Sequence, residues 1–228
     1  GSGDYLGSSV AGIVDVTGDG VPDVAAGAYF DDDQAGAAGA VHVFSGADCA
    51  WVRRMTDPDG QNSDYLGYSV AGVGDLDGDG TPDVAAGAYL DDTDRAGDAG
   101  SVAVFSGADG TLLHKLTDPL ARGGDHLGWS VAGIGDVDHD GVPDVAAGSR
   151  LDDNLTGTNA GSVVVFSGAD GSVIRKLTDP DGSSSDYFGE AVAGIGDVDG
   201  DGVPEVLVGA PRDDDPASDA GAVLIYSG

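Results

Sequence analysis

Short apolar runs separated by polar loops fill the whole chain, and residues 64–124 show the pattern most clearly. Small residues at 69–74 and 84–88 flank an acidic loop, and residues 101–105 have the two-residue alternation of a strand. The Gly-Ala-Asp-Gly sequence at 107–110 predicts a hairpin turn that leads to a fourth strand at 111–116. Because no segment has the period of an amphipathic helix, the pattern predicts four short antiparallel strands.

This pattern occurs four times, and each copy opens with a four-residue segment that begins with Asp and ends with Gly. The segments start at Asp4, Asp64, Asp125 and Asp186, at spacings of 60, 61 and 61 residues. Four antiparallel strands in a repeat of this length are typical of a β-propeller blade. We therefore predict an all-β chain whose residues 1–228 form a single β-propeller-type domain. Its repeats are residues 1–63, 64–124, 125–185 and 186–228.

The fourth repeat reaches only its third predicted strand, so its blade is expected to lack the outer strand. Its last apolar run would then form an uncharged, exposed sheet edge, which favours pairing with another chain. This run consists of Val223, Leu224, Ile225 and Tyr226. Either the array continues in a longer protein, or another chain covers the edge, or a three-stranded blade is stable. A homodimer through this edge would complete an eight-bladed ring.

Basic residues are concentrated in the predicted fourth strands of the first three repeats. Five of the nine fall there, namely Arg53, Arg54, Lys115, Arg175 and Lys176. In a propeller the fourth strand is the outer edge of its blade. Charged side chains on such an edge prevent pairing with other sheets. We expect these five residues to protect the blade edges in this way.

Each repeat carries an acidic loop between its first two strands, with Asp at alternate positions, Gly at the sixth and a carboxylate at the ninth. Calcium prefers six to eight oxygen ligands in a flexible geometry, and such a loop offers carboxylates at positions 1, 3, 5 and 9 with a backbone carbonyl at position 7. The sequence therefore predicts up to four calcium sites. Their residues are Asp15, Thr17, Asp19, Val21 and Asp23; Asp75, Asp77, Asp79, Thr81 and Asp83; Asp136, Asp138, Asp140, Val142 and Asp144; and Asp197, Asp199, Asp201, Val203 and Glu205.

The four predicted sites are not equivalent. Thr17 stands where the other loops have Asp, so the first site is expected to be the weakest. Flanking helices and a Glu at position 12 are missing, which excludes an EF-hand. Magnesium, which demands stricter octahedral geometry, fits less well. The alternative is a set of solvated acidic turns, but so many carboxylates in nine residues would repel one another without a cation.

The formal net charge of −32 comes almost entirely from Asp, since Glu occurs only at Glu190 and Glu205. This charge argues against binding of nucleic acid or insertion into anionic membranes, because phosphate recognition depends on Lys and Arg. Four calcium ions would neutralise only a quarter of it. Further Asp clusters follow the second strands and are interpreted as solvated loops, with a second cation site or a ligand-facing rim as alternatives. They are Asp31, Asp32 and Asp33; Asp91 and Asp92; Asp152 and Asp153; and Asp213, Asp214 and Asp215.

No catalytic constellation stands out from the repeats. The four histidines fall at unrelated repeat positions, and the single cysteine, Cys49, excludes an internal disulfide. Ser69 and Ser130 occur in Gly-x-Ser-x-Ala, but the context of a nucleophile elbow is missing. We interpret these serines as small packing residues and predict that the chain is not an enzyme.

The ordered signals resemble the FG-GAP repeats of integrin α-subunit propellers and related bacterial and archaeal proteins. Phe188-Gly189 and Gly209-Ala210-Pro211 match the two name-giving elements, with the acidic loop between them. Other copies differ, with Leu at Leu6, Leu66 and Leu127, and with Tyr29, Tyr89 and Arg150 in place of Pro. The resemblance implies a propeller with calcium loops on one face, an extracellular or cell-surface location, and a non-catalytic adhesion scaffold for a protein or glycan ligand. A structural or self-assembling module is the alternative.

Overall fold

A computed structural model describes residues 3–94, 96–214 and 217–228 and contains fifteen β-strands in that range. Blade 1 consists of β1 (Ser9–Ile13), β2 (Asp23–Ala28), β3 (Ala40–Phe44) and β4 (Trp51–Met55). Blade 2 consists of β5 (Ser69–Gly74), β6 (Asp83–Ala88), β7 (Ser101–Phe105) and β8 (Leu112–Leu116). Blade 3 consists of β9 (Leu127–Gly135), β10 (Asp144–Ser149), β11 (Ser162–Phe166) and β12 (Val173–Leu177). Blade 4 consists of β13 (Ala191–Gly196), β14 (Glu205–Ala210) and β15 (Ala222–Tyr226).

Each blade is an antiparallel sheet in which the strands follow one another in chain order. The predicted all-β fold of four propeller blades is therefore confirmed, and blade 4 has three strands among the residues described. The first strands pack in the order β1, β5, β9 and β13, so the blades stack face to face through their inner strands. In the described ranges, no helix is long and apolar enough to cross a membrane.

Three apolar clusters join the blades, one between each neighbouring pair. The third residue of the opening segment is a buried member of each cluster. Leu66, Leu127 and Phe188 are all buried there, whereas Leu6, which no described blade precedes, is 52% exposed. The apolar residue at this position of the repeat is therefore the residue that packs one blade against the blade before it.

Glycine permits a close backbone approach at each of these junctions. A Cβ atom at Gly87 would lie 1.9 Å from the carbonyl oxygen of Gly128 in the next blade. The Ser69 hydroxyl donates a 2.8 Å hydrogen bond to the same Gly128 oxygen, and Ser9 and Ser130 make the equivalent bonds in blades 1 and 3. The serines interpreted as packing residues therefore also bond one blade to the next, which explains why a small hydroxyl side chain recurs at this position.

The approach at Gly87 generates a stability prediction. Gly87→Ala should lower the free energy of unfolding by about 3 kcal/mol, because the methyl group cannot fit without separating blades 2 and 3. Gly209→Ala is the matched control at the same repeat position, since the nearest atom to its Cβ is 3.7 Å away. The control should change stability by less than about 0.5 kcal/mol. Urea denaturation of both variants measures this, and equal effects would contradict the proposed role of the junction.

Candidate metal centres

The four acidic loops lie at one end of the blades, between the first and second strands of each. In all four loops the carboxylate at position 1 accepts hydrogen bonds from backbone N–H groups later in the same loop. Asp75, for example, accepts from Gly78 and Gly80 at 2.8 and 2.9 Å. The position-5 carboxylate accepts from the N–H at position 7 in every loop, at 2.7–2.8 Å. The protein backbone therefore folds each loop around its carboxylates.

The ninth position is buried and connects the loop to the rest of its blade. One Asp83 oxygen accepts from the Leu76 N–H and the other accepts from the Gly107 N–H in the β7–β8 turn. Asp144 makes the equivalent bonds to Val137 and Gly168, and Asp23 bonds to Val16, Thr17 and Gly46. Burial, together with the nearby Asp77 and Asp75 charges, raises the pKa of Asp83 to about 6 despite these hydrogen bonds. A cation beside Asp83 would offset the cost of burying its negative charge near two other carboxylates.

In three of the four loops, carboxylate oxygens lie close enough to one another to bind a single metal ion. In loop 4 one oxygen from each of Asp197, Asp199, Asp201 and Glu205 lies within 4.8 Å of the others. The same holds for Asp75, Asp77 and Asp83 in loop 2 and for Asp136, Asp138 and Asp144 in loop 3. Asp79 and Asp140 lie outside these groups. Among the described residues, loop 1 forms no such group of three.

Loop 4 offers a further observation that fits a metal ion. Glu205 is 2% exposed, and one of its oxygens accepts a 2.6 Å hydrogen bond from the Val198 N–H. Its other oxygen, Oε1, is buried without a hydrogen-bond partner among the described residues. A buried carboxylate oxygen with no donor is costly unless a cation neutralises it. Oxygen-only donors of this number suit a hard divalent cation such as calcium.

The prediction that the Asp clusters after the second strands are solvated loops is wrong for the first residue of each cluster. The first member of each is buried, as Asp31, Asp91, Asp152 and Asp213 are 1–7% exposed, whereas the second members are exposed. Asp215 lies outside the described residues. In blades 1 to 3 the buried carboxylate forms an ion pair with a basic residue of the fourth strand. These pairs are Asp31 with Arg54, Asp91 with Lys115 and Asp152 with Lys176.

These ion pairs change the role of the fourth-strand basic residues. The Lys115 ammonium lies 2.7 Å from Asp57 and 2.8 Å from Asp91, and its side chain is only 27% exposed. Arg54, Lys115 and Lys176 therefore turn into the blade instead of guarding its edge as expected. Their role is to neutralise carboxylates that the fold buries.

A band of partly exposed aromatic side chains, which the sequence pattern did not predict, lies at the opposite end of the strands from the acidic loops. Ring contacts at 4.5–6.5 Å connect it across blades 1 to 3. The Arg150 guanidinium continues it towards blade 4, lying 3.5 Å from the Trp129 ring centre and 5.5 Å from that of Tyr187. We call this the aromatic band; it consists of Tyr5, Tyr29, Phe30, Tyr65, Tyr68, Tyr89, His126, Trp129, Arg150, Tyr187 and Arg212.

The signal for the aromatic band was present in the sequence. Tyr29, Tyr89 and Arg150 are the residues that stand where the resemblance has Pro, and all three belong to the band. Tyr65 and its equivalents follow the Asp of each opening segment and hold φ angles of 55–61°. A positive φ is unusual for a residue other than glycine. These departures from the repeat pattern were visible, but nothing in the sequence placed them together in space.

The four predicted interface residues do not share one face of β15. Leu224 and Tyr226 pack into the cluster between blades 3 and 4, and the Tyr226 hydroxyl donates to the Thr178 carbonyl at 3.0 Å. Val223 and Ile225 point the other way and are 68% and 59% exposed. Because side chains alternate along β15, only Val223 and Ile225 of the four predicted interface residues face away from blade 3, where a partner could contact them.

Burial of Asp64 beside the Lys115 ion pairs generates a pH prediction. Burial, with the nearby Asp91 and Asp57 charges, raises the pKa of Asp64 from 3.8 to about 6. The folded chain then binds this proton more tightly than the unfolded chain, so Asp64 favours folding at low pH and opposes it as the pH rises through 6. Between pH 4 and pH 7.5, Asp64→Asn should gain stability relative to the parent chain by up to about 3 kcal/mol.

Urea denaturation of variant and parent in one calcium-containing buffer at each pH measures this difference. The exposed neighbour Asp59 provides the control, because Asp59→Asn should leave the pH dependence unchanged. Parallel pH profiles for Asp64→Asn and the parent would contradict the prediction.

Comparison with known proteins agrees with the repeat organisation. Two sequence models, both described as FG-GAP repeat, match this chain. One matches residues 6–44, 66–105 and 127–166, and the other matches residues 172–226. The matched segments include the acidic loop of every blade.

Similar curated proteins are integrin alpha chains. Integrin alpha-6 of Homo sapiens is 35% identical over 148 residues, which is 63% of this chain and 12% of that protein. Integrin alpha-5 of Xenopus laevis is 32% identical over 184 residues, or 75% of this chain and 17% of that protein. Integrin alpha-PS5 of Drosophila melanogaster is 31% identical over 161 residues, or 66% of this chain and 15% of that protein. This chain thus spans between about an eighth and a sixth of the relatives it matches. Since the repeat models cover more than half of its residues and reach all four blades, the chain belongs to the FG-GAP repeat family.

Proposed function

We propose that this chain is a non-catalytic, calcium-stabilised binding scaffold that acts in adhesion outside the cell. The observation that carries the proposal is the convergence of carboxylate oxygens in loops 2, 3 and 4. Membership of the FG-GAP family and similarity to integrin alpha chains support the adhesion role and the extracellular location. Residues 1–228 would act as one domain of the four repeats defined above.

Calcium would be held by the carboxylates at positions 1, 3, 5 and 9 and the carbonyl at position 7. The chain's own contribution is to prefold each loop, because backbone N–H groups already orient the carboxylates at positions 1 and 5. Bound calcium would offset the repulsion among these groups and the burial of the ninth residue. Metal binding would therefore stabilise the folded chain, since the unfolded chain lacks the site.

The aromatic band is the surface that we propose contacts the ligand. Tyrosine and tryptophan offer large apolar areas with polar edges and a small entropic cost of ordering. Arg150 and Glu190, which form a 3.1 Å ion pair beside Trp129, add charged groups to this surface. Such a surface suits a protein or a glycan. The band lies away from the acidic loops, so calcium would support the ligand face without forming part of it.

The calcium proposal predicts a large effect of metal on thermal stability. Saturating calcium should raise the melting temperature well above its value in EDTA, because each site filled at a thousand times its Kd adds about 4 kcal/mol. Isothermal titration should detect at least three sites, and magnesium at the same concentration should stabilise less. Equal melting temperatures in calcium and EDTA, with no heat of binding, would refute the proposal.

Loops 1 and 2 provide a matched pair of variants for this titration. Asp77→Thr gives loop 2 the residue of loop 1 and should remove one strong site. Thr17→Asp makes the reverse change and should strengthen the site in loop 1 by at least tenfold, because it restores the carboxylate at position 3. If Thr17→Asp leaves calcium affinity unchanged, position 3 is not a ligand.

Self-assembly is a second candidate function that a separate observation favours. On the face of blade 1 that points away from blade 2, the side chains of Val10 and Trp51 are 67% and 59% exposed. On the face of blade 4 that points away from blade 3, three apolar residues are 59–68% exposed, namely Val198, Val223 and Ile225. The equivalents of the blade 4 residues in blades 2 and 3 are buried between blades, as Val102, Val104 and Val137 show. Head-to-tail contact of two copies would place blade 1 of each on blade 4 of the other and complete an eight-bladed ring.

This alternative predicts a calcium-dependent dimer whose contact is sensitive to Ile225. Ile225→Lys should dissociate the dimer in sedimentation experiments while the blades stay folded. Leu155→Lys is the control, because Leu155 is fully exposed in the loop after β10, away from both faces. Changing Leu224 would not test the contact, since this residue packs against blade 3. A parent chain that is monomeric at high concentration would exclude self-assembly.

A further inference from the structure

Blades 2 and 3 each have a surface cavity at the same place in the repeat. The cavity of blade 2, of about 450 Å³, lies between the connection that enters the blade and the loop after β6. The cavity of blade 3, of about 370 Å³, lies between the equivalent connection and the loop after β10. Lys115 lines the first cavity and Lys176 lines the second. Both blades have a described blade on either side, so the two cavities can be compared directly.

The walls of the two cavities differ at two equivalent positions. Asp59 and Asp94 line the cavity of blade 2, and Leu120 and Leu155 stand at the same repeat positions in blade 3. Leu155 is fully exposed and Leu120 is 74% exposed, more than any other large apolar side chain among the described residues. In a chain whose loops are rich in Asp, two exposed leucines on one cavity indicate that something covers them.

The loop that carries Leu155 also contains a glycosylation motif. Asn154, Leu155 and Thr156 form an Asn-x-Thr sequence, which occurs once in the chain, and all three residues line the cavity. Blade 2 has Thr93 in place of Asn154 and lacks the motif. On a surface loop of a secreted protein, this motif is an acceptor of N-linked glycans. The exposed leucines and the acceptor asparagine therefore occur together in blade 3 and are both missing from the equivalent cavity of blade 2.

The folded loop leaves the Asn154 amide able to carry a sugar. Its oxygen Oδ1 accepts hydrogen bonds from the N–H and the hydroxyl of Thr156, at 2.8 and 2.6 Å. Its nitrogen Nδ2 donates a 2.6 Å hydrogen bond to the Gly161 carbonyl. An amide nitrogen has two N–H groups, and a glycosylated one keeps one of them. The bond to Gly161 can therefore persist while a sugar replaces the other proton.

We propose that Asn154 carries an N-linked glycan whose first sugar covers the exposed side chains of Leu120 and Leu155. This inference rests on the proposed extracellular location, because N-linked glycans are added to chains that enter the secretory route. In the transfer, a bond forms between Asn154 Nδ2 and the anomeric carbon of a lipid-linked oligosaccharide. The bond from that carbon to the lipid pyrophosphate breaks, the lipid pyrophosphate leaves, and one Nδ2 proton passes to a base of the transferase.

A tethered sugar suits this cavity better than a separate partner protein. A pyranose ring has C–H groups that can pack on leucine and hydroxyl groups that stay in water. Because the sugar is attached to Asn154, it meets the leucines at a high effective concentration. A separate protein would lose translational and rotational freedom on binding and would also meet the net charge of −32. The glycan therefore accounts for both leucines without a further binding partner.

Secretion from a eukaryotic cell with a fused leader sequence tests the modification. The secreted chain should gain the mass of one glycan, and peptide-N-glycosidase should remove it and convert Asn154 to Asp, which peptide mass spectrometry locates. Thr156→Ser keeps the motif and should stay modified, whereas Thr156→Val should lose the glycan. The chain recovered outside its native cells should carry the same modification.

Two outcomes of this experiment separate the glycan from the proposed function. An unmodified Asn154 in either extracellular sample would refute the glycan alone. Recovery of the native chain only from inside the cell would refute the extracellular location and the glycan together. Calcium titration of the same samples tests the acidic loops independently, because these loops lie at the other end of the strands.

Amide hydrogen exchange tests the contact between the glycan and the leucines. The chain made in bacterial cytoplasm has the same sequence without the glycan. Exchange at residues 120–124 and 154–157 should be slower in the glycosylated chain by about threefold or more, and trimming to the first sugar should preserve the difference. The double variant Leu120→Ser, Leu155→Ser keeps the motif, so it should be glycosylated but lose most of this protection.

Equal exchange with and without the glycan would refute its contact with the leucines. Protection of the same residues in an unglycosylated dimer would show that a second copy covers them, and the proposal would again be wrong.

Discussion

The close contact of one blade with the next is the constraint on which the other features of this chain depend. A sheet of Ala, Val and Gly is thin, so neighbouring backbones approach until only glycine fits, as at Gly87 against Gly128. Leu66, Leu127 and Phe188 fill the remaining space, and serine hydroxyls bond across the junction. A core of small residues thus gains its stability from repeated interfaces instead of a single large interior. A blade face without a neighbour stays apolar and exposed, which is the condition of Val10 and Ile225.

The antiparallel order of the strands separates two kinds of chemistry. Turns between the first two strands lie at one end of every blade, and they carry the acidic loops. Connections that enter the blade and follow its second strand lie at the other end, where the aromatic band and the ion pairs of Lys115 and Lys176 are found. The physical consequence is that a cation can stabilise the blade without occupying the surface available for recognition.

Part of the large negative charge is buried in these two environments, while most of the other carboxylates are at least partly exposed. Carboxylates at loop position 9 are buried against backbone N–H groups, and those after the second strand of blades 1 to 3 are buried against lysine or arginine. Burial of a carboxylate is costly without such partners. Asp is suited to both roles because its short side chain can reach its own backbone and hold a fixed direction. This explains why Glu is almost absent from the chain.

The sequence by itself determined the number of blades, the strand order and the positions of the acidic loops. These features are local, because turn chemistry and strand alternation depend on residues a few positions apart. It also identified Thr17 as the exception in loop 1. The tertiary structure decided which carboxylates are buried, because Lys115 meets Asp57 only when strands far apart in the chain are stacked. It likewise decided that Tyr29, Tyr89 and Trp129 share one surface and that Leu224 and Ile225 face opposite sides. Such relations depend on the packing of whole blades, which no short stretch of sequence encodes.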